Sequence, residues 1–479
     1  MDNYWLSTAL LAAFLVGHVI LAVLVSCHAV LHKEDVRSAF GWIGLAWLSP
    51  VVGPALYWAF GINRVNRRAT RLRRRRARPG SKAYPRAVKA DPARLPEPLA
   101  AIARVSEIAS ETPLTEGNSI EMLQGGDEAY PAMIEAIRSA EVSIALVSYI
   151  FRGDRVGKGF ISALAAAEAR GVEVRELLDG FGCGYLYSSA ARRLAAAGVP
   201  VRRFLHYWMP WRMPFLNMRN HKKLLIVDGR HGFTGGLNIG VENLRAFRPP
   251  QLVRDLHFRF SGPVVRQMMV SFAEDWSFTT GERLEGDSWW PAIEPTGTLL
   301  ARGISSGPDE DAGTLDAVFA AAVGAARQRL RIVTPYFLPG QALTMALALA
   351  ALRGVEVDVI LPERSDSILL DWAMRAHIAF LKVPGLKIHL LPGPFDHSKV
   401  VTVDGIWSLF GSANWDVRST RLNFEFVVEC YDQALAGRLD RLLEEKRAAA
   451  RLVSQADMRN QPMALRLRNA AARLLLPYL

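Results

Sequence analysis

Cysteine is scarce in this chain: Cys27, Cys183 and Cys430 are the only three in 479 residues, far apart and without a CxxC pair. That excludes a disulfide framework and a thiolate zinc site, and it fits a reducing compartment for the soluble part. No cluster of His, Asp and Glu has metal-ligand spacing, so neither a metal nor another cofactor is expected. A glycine-rich phosphate loop of the GxxxxGK type is also missing. Most of the chain lacks a charge surplus as well. The net charge of +12 is carried by one stretch, Arg64 to Lys89, with twelve basic residues and no acid, and the remainder is formally neutral. A body that gripped a phosphate backbone would carry the surplus on itself, so a nucleic-acid partner is not expected.

What the chain does have is a duplication. HKKLLIVDG from His221 and HSKVVTVDG from His397 are near copies, and their surroundings recur in the same order. SIALVSYIF at Ser143 answers to LRIVTPYF at Leu330, RGVEVRELL at Arg170 to RGVEVDVIL at Arg353, and GFTGGLNIG at Gly232 to LFGSANWD at Leu409. A repeated supersecondary unit leaves this signature. Short apolar runs alternate with Ala/Leu-rich helical stretches, which predicts an α/β fold with a sheet and flanking helices in each half. Gly171 and Gly354 fall where helices should end, in positions suited to a left-handed cap. Each motif reads as a buried strand closing in an Asp-Gly turn, at Asp228 and Asp404. Side chains two apart on a strand share a face, so His221 and Lys223 point together, as do His397 and Lys399. The odd offset of Asp228 and Asp404 sends them to the other face or into the turn, as positioning residues.

Displacement at a phosphodiester needs a nucleophile, an acid for the leaving alkoxide, and positive charge at the non-bridging oxygens. Two histidines and two lysines supply that set. One neutral imidazole attacks phosphorus while a protonated one donates, and the resulting phosphohistidine passes to water or an alcohol. Asn238 and Asn414 occupy matching places, with Ser412 beside the second, and can bind the same oxygens. Asp255 and Glu425 follow the two motifs and can each orient a histidine, without the sequence telling which. Tyr149 and Tyr336 close equivalent strands, where lining the site and core packing fit equally.

Tyr4 to Leu31 is an almost unbroken apolar run, long enough to cross a bilayer, with Tyr4 and Trp5 at its interface end. It has no basic n-region, so it reads as a retained helix rather than a signal peptide. Phe40 to Ile62 is a second apolar segment interrupted by Pro50, Gly53 and Pro54; a kinked span and a re-entrant hairpin both suit it. The arginines after it should stay cytoplasmic and draw anionic headgroups, which places the catalytic body on that side. The expected organisation is a two-segment anchor (1–63), a basic and Pro-rich linker (64–113) and two tandem catalytic domains (114–295 and 296–479). Two further segments read either as lipid contacts or as ordinary packing: His206 to Phe215, with Trp208, Trp211 and Phe215 around Arg212, and the C-terminal MALRLRNAAARLLLPYL.

These residues resemble the phospholipase D superfamily and, within it, the bacterial cardiolipin synthases. The resemblance runs through WLSPVVGPALYWAFGINR, NHKKLLIVDGRHGFTGGLNIG, RDLHFRFSGP, TPYFLP, HSKVVTVDG, GSANWDVRSTRLNFE and the closing LLLPYL. It implies two tandem phospholipase D-like sandwich domains in a multi-pass inner-membrane protein, with phosphatidylglycerol as the anionic substrate. Two such molecules would give cardiolipin and glycerol through a phosphatidyl-histidine, with His221 as nucleophile and His397 as acid and base. Phosphodiester hydrolysis and a catalytically silent lipid-binding scaffold are the rival readings. Gly236 standing where the second half has Ser412, and Asp255 where it has Glu425, already mark the halves as unequal.

Overall fold

The computed structural model describes residues 2–33, 36–61, 89–206, 218–247, 251–292, 294–308, 313–381, 385–454, 456–457 and 460–474. The arginines of 64–88, the aromatic insertion from residue 207 to 217 and the last five residues lie outside these, as do the side chains of Tyr4 and Trp5. Residues 1–71 and 72–479 form two compact units.

In the first unit the helix Asp2–His32 is continuous, and its stretch Ser7–His32 is long and apolar enough to cross a membrane. The second hydrophobic segment differs from a simple span. A 13-residue helix, Val36–Leu48, gives way to a bend and turn before the short helix Val52–Leu56 and a π-helical turn, Tyr57–Gly61. Pro50 and Pro54 lack the N–H that a continuous helix needs, which accounts for the break. Among the described residues, only Ser7–His32 reaches spanning length.

The second unit is a mixed α/β structure. Its first half supplies β1 (Thr115–Gln124), β2 (Ser143–Ser148), β3 (Glu173–Asp179), β4 (Val201–Phe204), β5 (Leu224–Val227), β6 (His231–Gly235), the two-residue β7 (Val253–Arg254) and β8 (Leu256–Ser261). The second half supplies β9 (Leu299–Ser306), β10 (Arg329–Val333), β11 (Phe337–Leu338), β12 (Glu356–Pro362), β13 (Leu386–Leu391), β14 (Phe395–Asp396), β15 (Val400–Val403), β16 (Trp407–Gly411), β17 (Trp415–Asp416) and β18 (Glu425–Tyr431), and β19 (Arg451–Val453) adds an edge.

The order β4-β3-β2-β5-β6-β8-β1 in one half matches β13-β12-β10-β15-β16-β18-β9 in the other. Antiparallel pairing of β1 with β9 fuses the two into one 15-stranded sheet. β2, β5 and β15 are buried throughout, as their unbroken apolar runs require. The helices Arg155–Ala169 and Gln341–Leu352 both end as expected, with Gly171 at φ 91° and Gly354 at φ 88°. Both Asp-Gly turns are left-handed, with φ 52° and 62° at Asp228 and Gly229 and 52° and 68° at Asp404 and Gly405.

One apolar layer is common to both halves. Phe258 of β8 stacks on Phe410 of β16 with ring centres 3.8 Å apart, among Val147, Phe260, Val400 and Phe426. Each fully buried aromatic of this kind contributes on the order of 2–3 kcal/mol, so the repeats are held together by core and not by a linker alone.

Candidate active site

The motif strands begin later than the sequence suggests, at Leu224 and Val400, leaving His221–Lys223 and His397–Lys399 as extended segments ahead of β5 and β15. The alternation nevertheless holds. His221 and Lys223 both approach Tyr149, the ring centroid at 4.8 Å and the ammonium at 5.2 Å, while Lys222 turns away to pair with Asp275 at 2.9 Å. In the second half Ser398 turns away to Lys446, and the His397 ring lies edge-on to Tyr336, 6.5 Å between centroids.

What joins the motifs is backbone exchanged between halves. The His221 N–H donates to the Phe424 carbonyl at 2.8 Å, and the His397 N–H to the Arg254 carbonyl at 2.7 Å. Each acceptor is followed at once by a carboxylate. Glu425 Oε2 therefore reaches His221 Nδ1 at 3.0 Å, and Asp255 Oδ2 reaches His397 Nδ1 at 2.7 Å. Each histidine is oriented by the carboxylate of the opposite half. His221 Nδ1 also lies 3.0 Å from the Ser412 carbonyl. A carbonyl and an ionised carboxylate only accept, so Nδ1 carries the hydrogen and Nε2 keeps its lone pair.

Both imidazoles line one cavity of about 260 Å³, together with Tyr149, Tyr336, Asn238 and Asn414. Lys223 Nζ and Lys399 Nζ donate to the carbonyls of His221 and His397, at 2.7 and 2.5 Å. Asn238 is held by its Oδ1, which accepts from the Ile150 N–H at 3.3 Å.

One expected site residue, Ser412, falls elsewhere, and the two motif aspartates sit in the turns away from the cavity, in the positioning place read for them. Ser412 is fully buried and donates its hydroxyl to Glu425, so it braces the carboxylate instead of facing the cavity. Asp228 accepts from the backbone N–H groups of Glu141, Val142 and Ser143, and Asp404 from those of Arg327, Gln328 and Arg329. They tie the turns to the starts of β2 and β10, because a left-handed turn aims the side chain along the sheet edge. The sequence reading missed Arg219, Arg418, Asp366, Asp416 and Asn423, all in the cavity wall. Arg219 stands two residues before His221, and Asp416 and Arg418 lie within the GSANWDVR segment, so proximity to the motifs was the available signal.

The sequence profile described as cardiolipin synthase, PLD-like domain matches residues 133–276 and 320–447, one match over each motif. The chain belongs to this family. Cardiolipin synthase A of Pseudomonas fluorescens is 32% identical over 476 residues, covering 98% of both chains. Cardiolipin synthase of Geobacillus kaustophilus is 30% identical over 487 residues, covering 96% of this chain and 93% of that one. The crystal structure of phosphatidylserine synthase from Haemophilus influenzae shares the fold, with a TM-score of 0.62 at 16% identity over 79% of this chain and all of that one.

The electrostatics of the cavity are set mainly by burial. Burial pushes His221 down to about 4, aided by Lys223 and Lys399 against the pull of Glu425, so the ring is neutral at pH 7. Burial also lowers His397, with Lys399 adding to it. Lys223 is brought down to about 7 and Lys399 to about 8, in both cases chiefly by burial. Burial opposes the Glu425 charge, yet His221, Lys223 and Ser412 hold it below the ordinary carboxylate range. Asp416 is raised to about 6 by burial.

Proposed function

We propose that this chain is a membrane-anchored phosphatidyltransferase that converts two phosphatidylglycerol molecules to cardiolipin and glycerol. The observation that carries this reading is the pair of imidazoles in one cavity, each with Nδ1 on a carboxylate from the other half. His221 Nε2 attacks phosphorus and the bond to the headgroup glycerol breaks. His397, protonated in the presence of the anionic phosphate, gives its proton to the leaving alkoxide. A hydroxyl of the second phosphatidylglycerol then returns a proton to His397 as it displaces the phosphatidyl group from His221.

Hydrogen bonding supports this division of roles. Glu425 also accepts from Ser412 and from Asn423 Nδ2, which spreads its charge and weakens its pull on the His221 proton. Asp255 has fewer competing donors and can stabilise the imidazolium of His397. Lys223, Lys399, Arg219 and Arg418 balance the phosphate charge, while Asp366 at the rim and Asp416 within accept from the hydroxyls of the incoming glycerol. Asn238 and Asn414 steady the phosphate oxygens.

The catalytic body comprises two phospholipase D-like domains, 114–295 and 296–479, on the cytoplasmic side of a bacterial inner membrane. Both hydrophobic segments enter the bilayer, the broken second one as a re-entrant or kinked piece, and the Arg64–Lys89 strip attracts anionic headgroups at about 1 kcal/mol per charge. The test is expression in membranes lacking cardiolipin, with lipid mass spectra compared for the intact chain, His221→Ala and His397→Ala. Cardiolipin from the intact chain alone is expected. Phosphatidic acid instead would make it a hydrolase, and identical lipids from all three would overturn the mechanism.

A further inference from the structure

We propose that the first turns of the C-terminal helix Met463–Leu474 lie on the surface of an anionic phospholipid bilayer, beside the mouth of the catalytic cavity. The helix carries Arg466, Arg468 and Arg473 and no acid. Its buried side is continuous with the cavity wall: Ala472 packs with Leu338 and Met374, and Tyr336 and Leu370 border the same cluster. Tyr336, Leu338 and Leu370 also line the cavity.

Two stacking contacts fix the direction of the helix. The Arg468 guanidinium sits 4.2 Å from the Trp372 ring, and that of Arg473 sits 4.3 Å from the Phe380 ring. The C-terminal helix thus runs alongside Ile368–Phe380 in the same sense. Met463, five residues and about 7.5 Å ahead of Arg468, lies near the first turn of that neighbour, where Leu370 meets the cavity. Every residue from Met463 to Arg468 is exposed. Met463 at 63% and Leu467 at 64% exposure, four residues apart on one face of the helix, form an apolar surface that no described residue covers.

Exposed apolar side chains beside Arg466, on a helix that carries no acid, are what an anionic interface requires. A second copy would bring the same arginines against one another. A bilayer edge here would let lipid pass from membrane to cavity without crossing water, and the inference rests on the phosphatidyltransferase reading only for that purpose.

The test uses the full-length chain with Cys27→Ser and Leu467→Cys, labelled at residue 467 with an environment-sensitive fluorophore, since Cys183 and Cys430 are buried. In vesicles containing phosphatidylglycerol, a blue shift and quenching by lipid-borne quenchers are expected, weaker in pure phosphatidylcholine and weaker again with Arg466→Gln. Emission that does not differ between detergent and either vesicle would overturn the proposal, as would a blue shift in detergent that grows with protein concentration. Met463→Ser with Leu467→Ser should raise the KM for vesicle substrate about tenfold, through lost apolar contact, with kcat unchanged. An unchanged KM would count against it. His221→Ala should abolish product while keeping the blue shift, which separates failure here from failure of the enzymatic reading.

Discussion

The two halves share strand order and motif, yet each braces the other's histidine in its own way. In the second half Ser412 and Asn423 both donate to Glu425, which faces His221. In the first half Gly236 occupies the place of Ser412, and a Cβ there would stand 2.2 Å from Asp255 Oδ1, so glycine lets the shorter carboxylate reach His397. The cavity wall is unequal too. Asp366, Asp416 and Arg418 come from the second half, and the residues matching Asp416 and Arg418 are Gly240 and Glu242. A duplicated catalyst can thus keep one cavity while giving its two histidines differently braced carboxylates.

The strongest way to break that comparison is to remove one ring at a time. His221→Ala should leave neither product nor covalent adduct, whereas His397→Ala should slow turnover by on the order of 10²–10⁴-fold and leave a phosphatidyl-enzyme detectable by mass spectrometry. Equal behaviour of the two variants would undo the assigned roles. Next in size, Gly236→Ala must displace the Asp255 carboxylate and should cost on the order of 10²-fold in kcat. Ser412→Ala removes one of several donors to Glu425 and should cost about 1 kcal/mol, or roughly fivefold. Steady-state kinetics that ranked them the other way would contradict the geometry.

The lysines set a smaller, pH-dependent effect. Burial brings Lys223 down to about 7 and Lys399 to about 8, so if their charge holds the phosphate, kcat/KM should fall as pH rises through that window. Lys399→Arg should leave only the limb near 7, and a flat profile above pH 7 would count against both lysines as phosphate ligands. Last, Asp228→Asn and Asp404→Asn should each lower stability by about 1–3 kcal/mol in denaturant titration, with kcat unchanged in the folded fraction. Equal losses are expected because both carboxylates cap three backbone N–H groups.

Much of the site was legible because its information is local. Strand alternation brings His221 together with Lys223, and the Asp-Gly dipeptide specifies a left-handed turn wherever the strands lie. Ser412 was misread for the opposite reason: its motif position says nothing of where Glu425 comes to rest. Arg219 and Arg418 were overlooked because each takes its place in the wall only after the halves have closed.

Sequence alone determined the duplication, the α/β layering, an N-terminal apolar helix and the pairing of each motif histidine with its lysine on one face, since each follows from composition or from spacings of a few residues. Only the tertiary structure decided that Glu425 serves His221, that Asp255 serves His397, and that both rings open on one cavity. Those contacts span 204 and 142 residues of chain. Such distances carry no periodicity to read; they are closed by β1 meeting β9 and by the backbone exchanged across the seam.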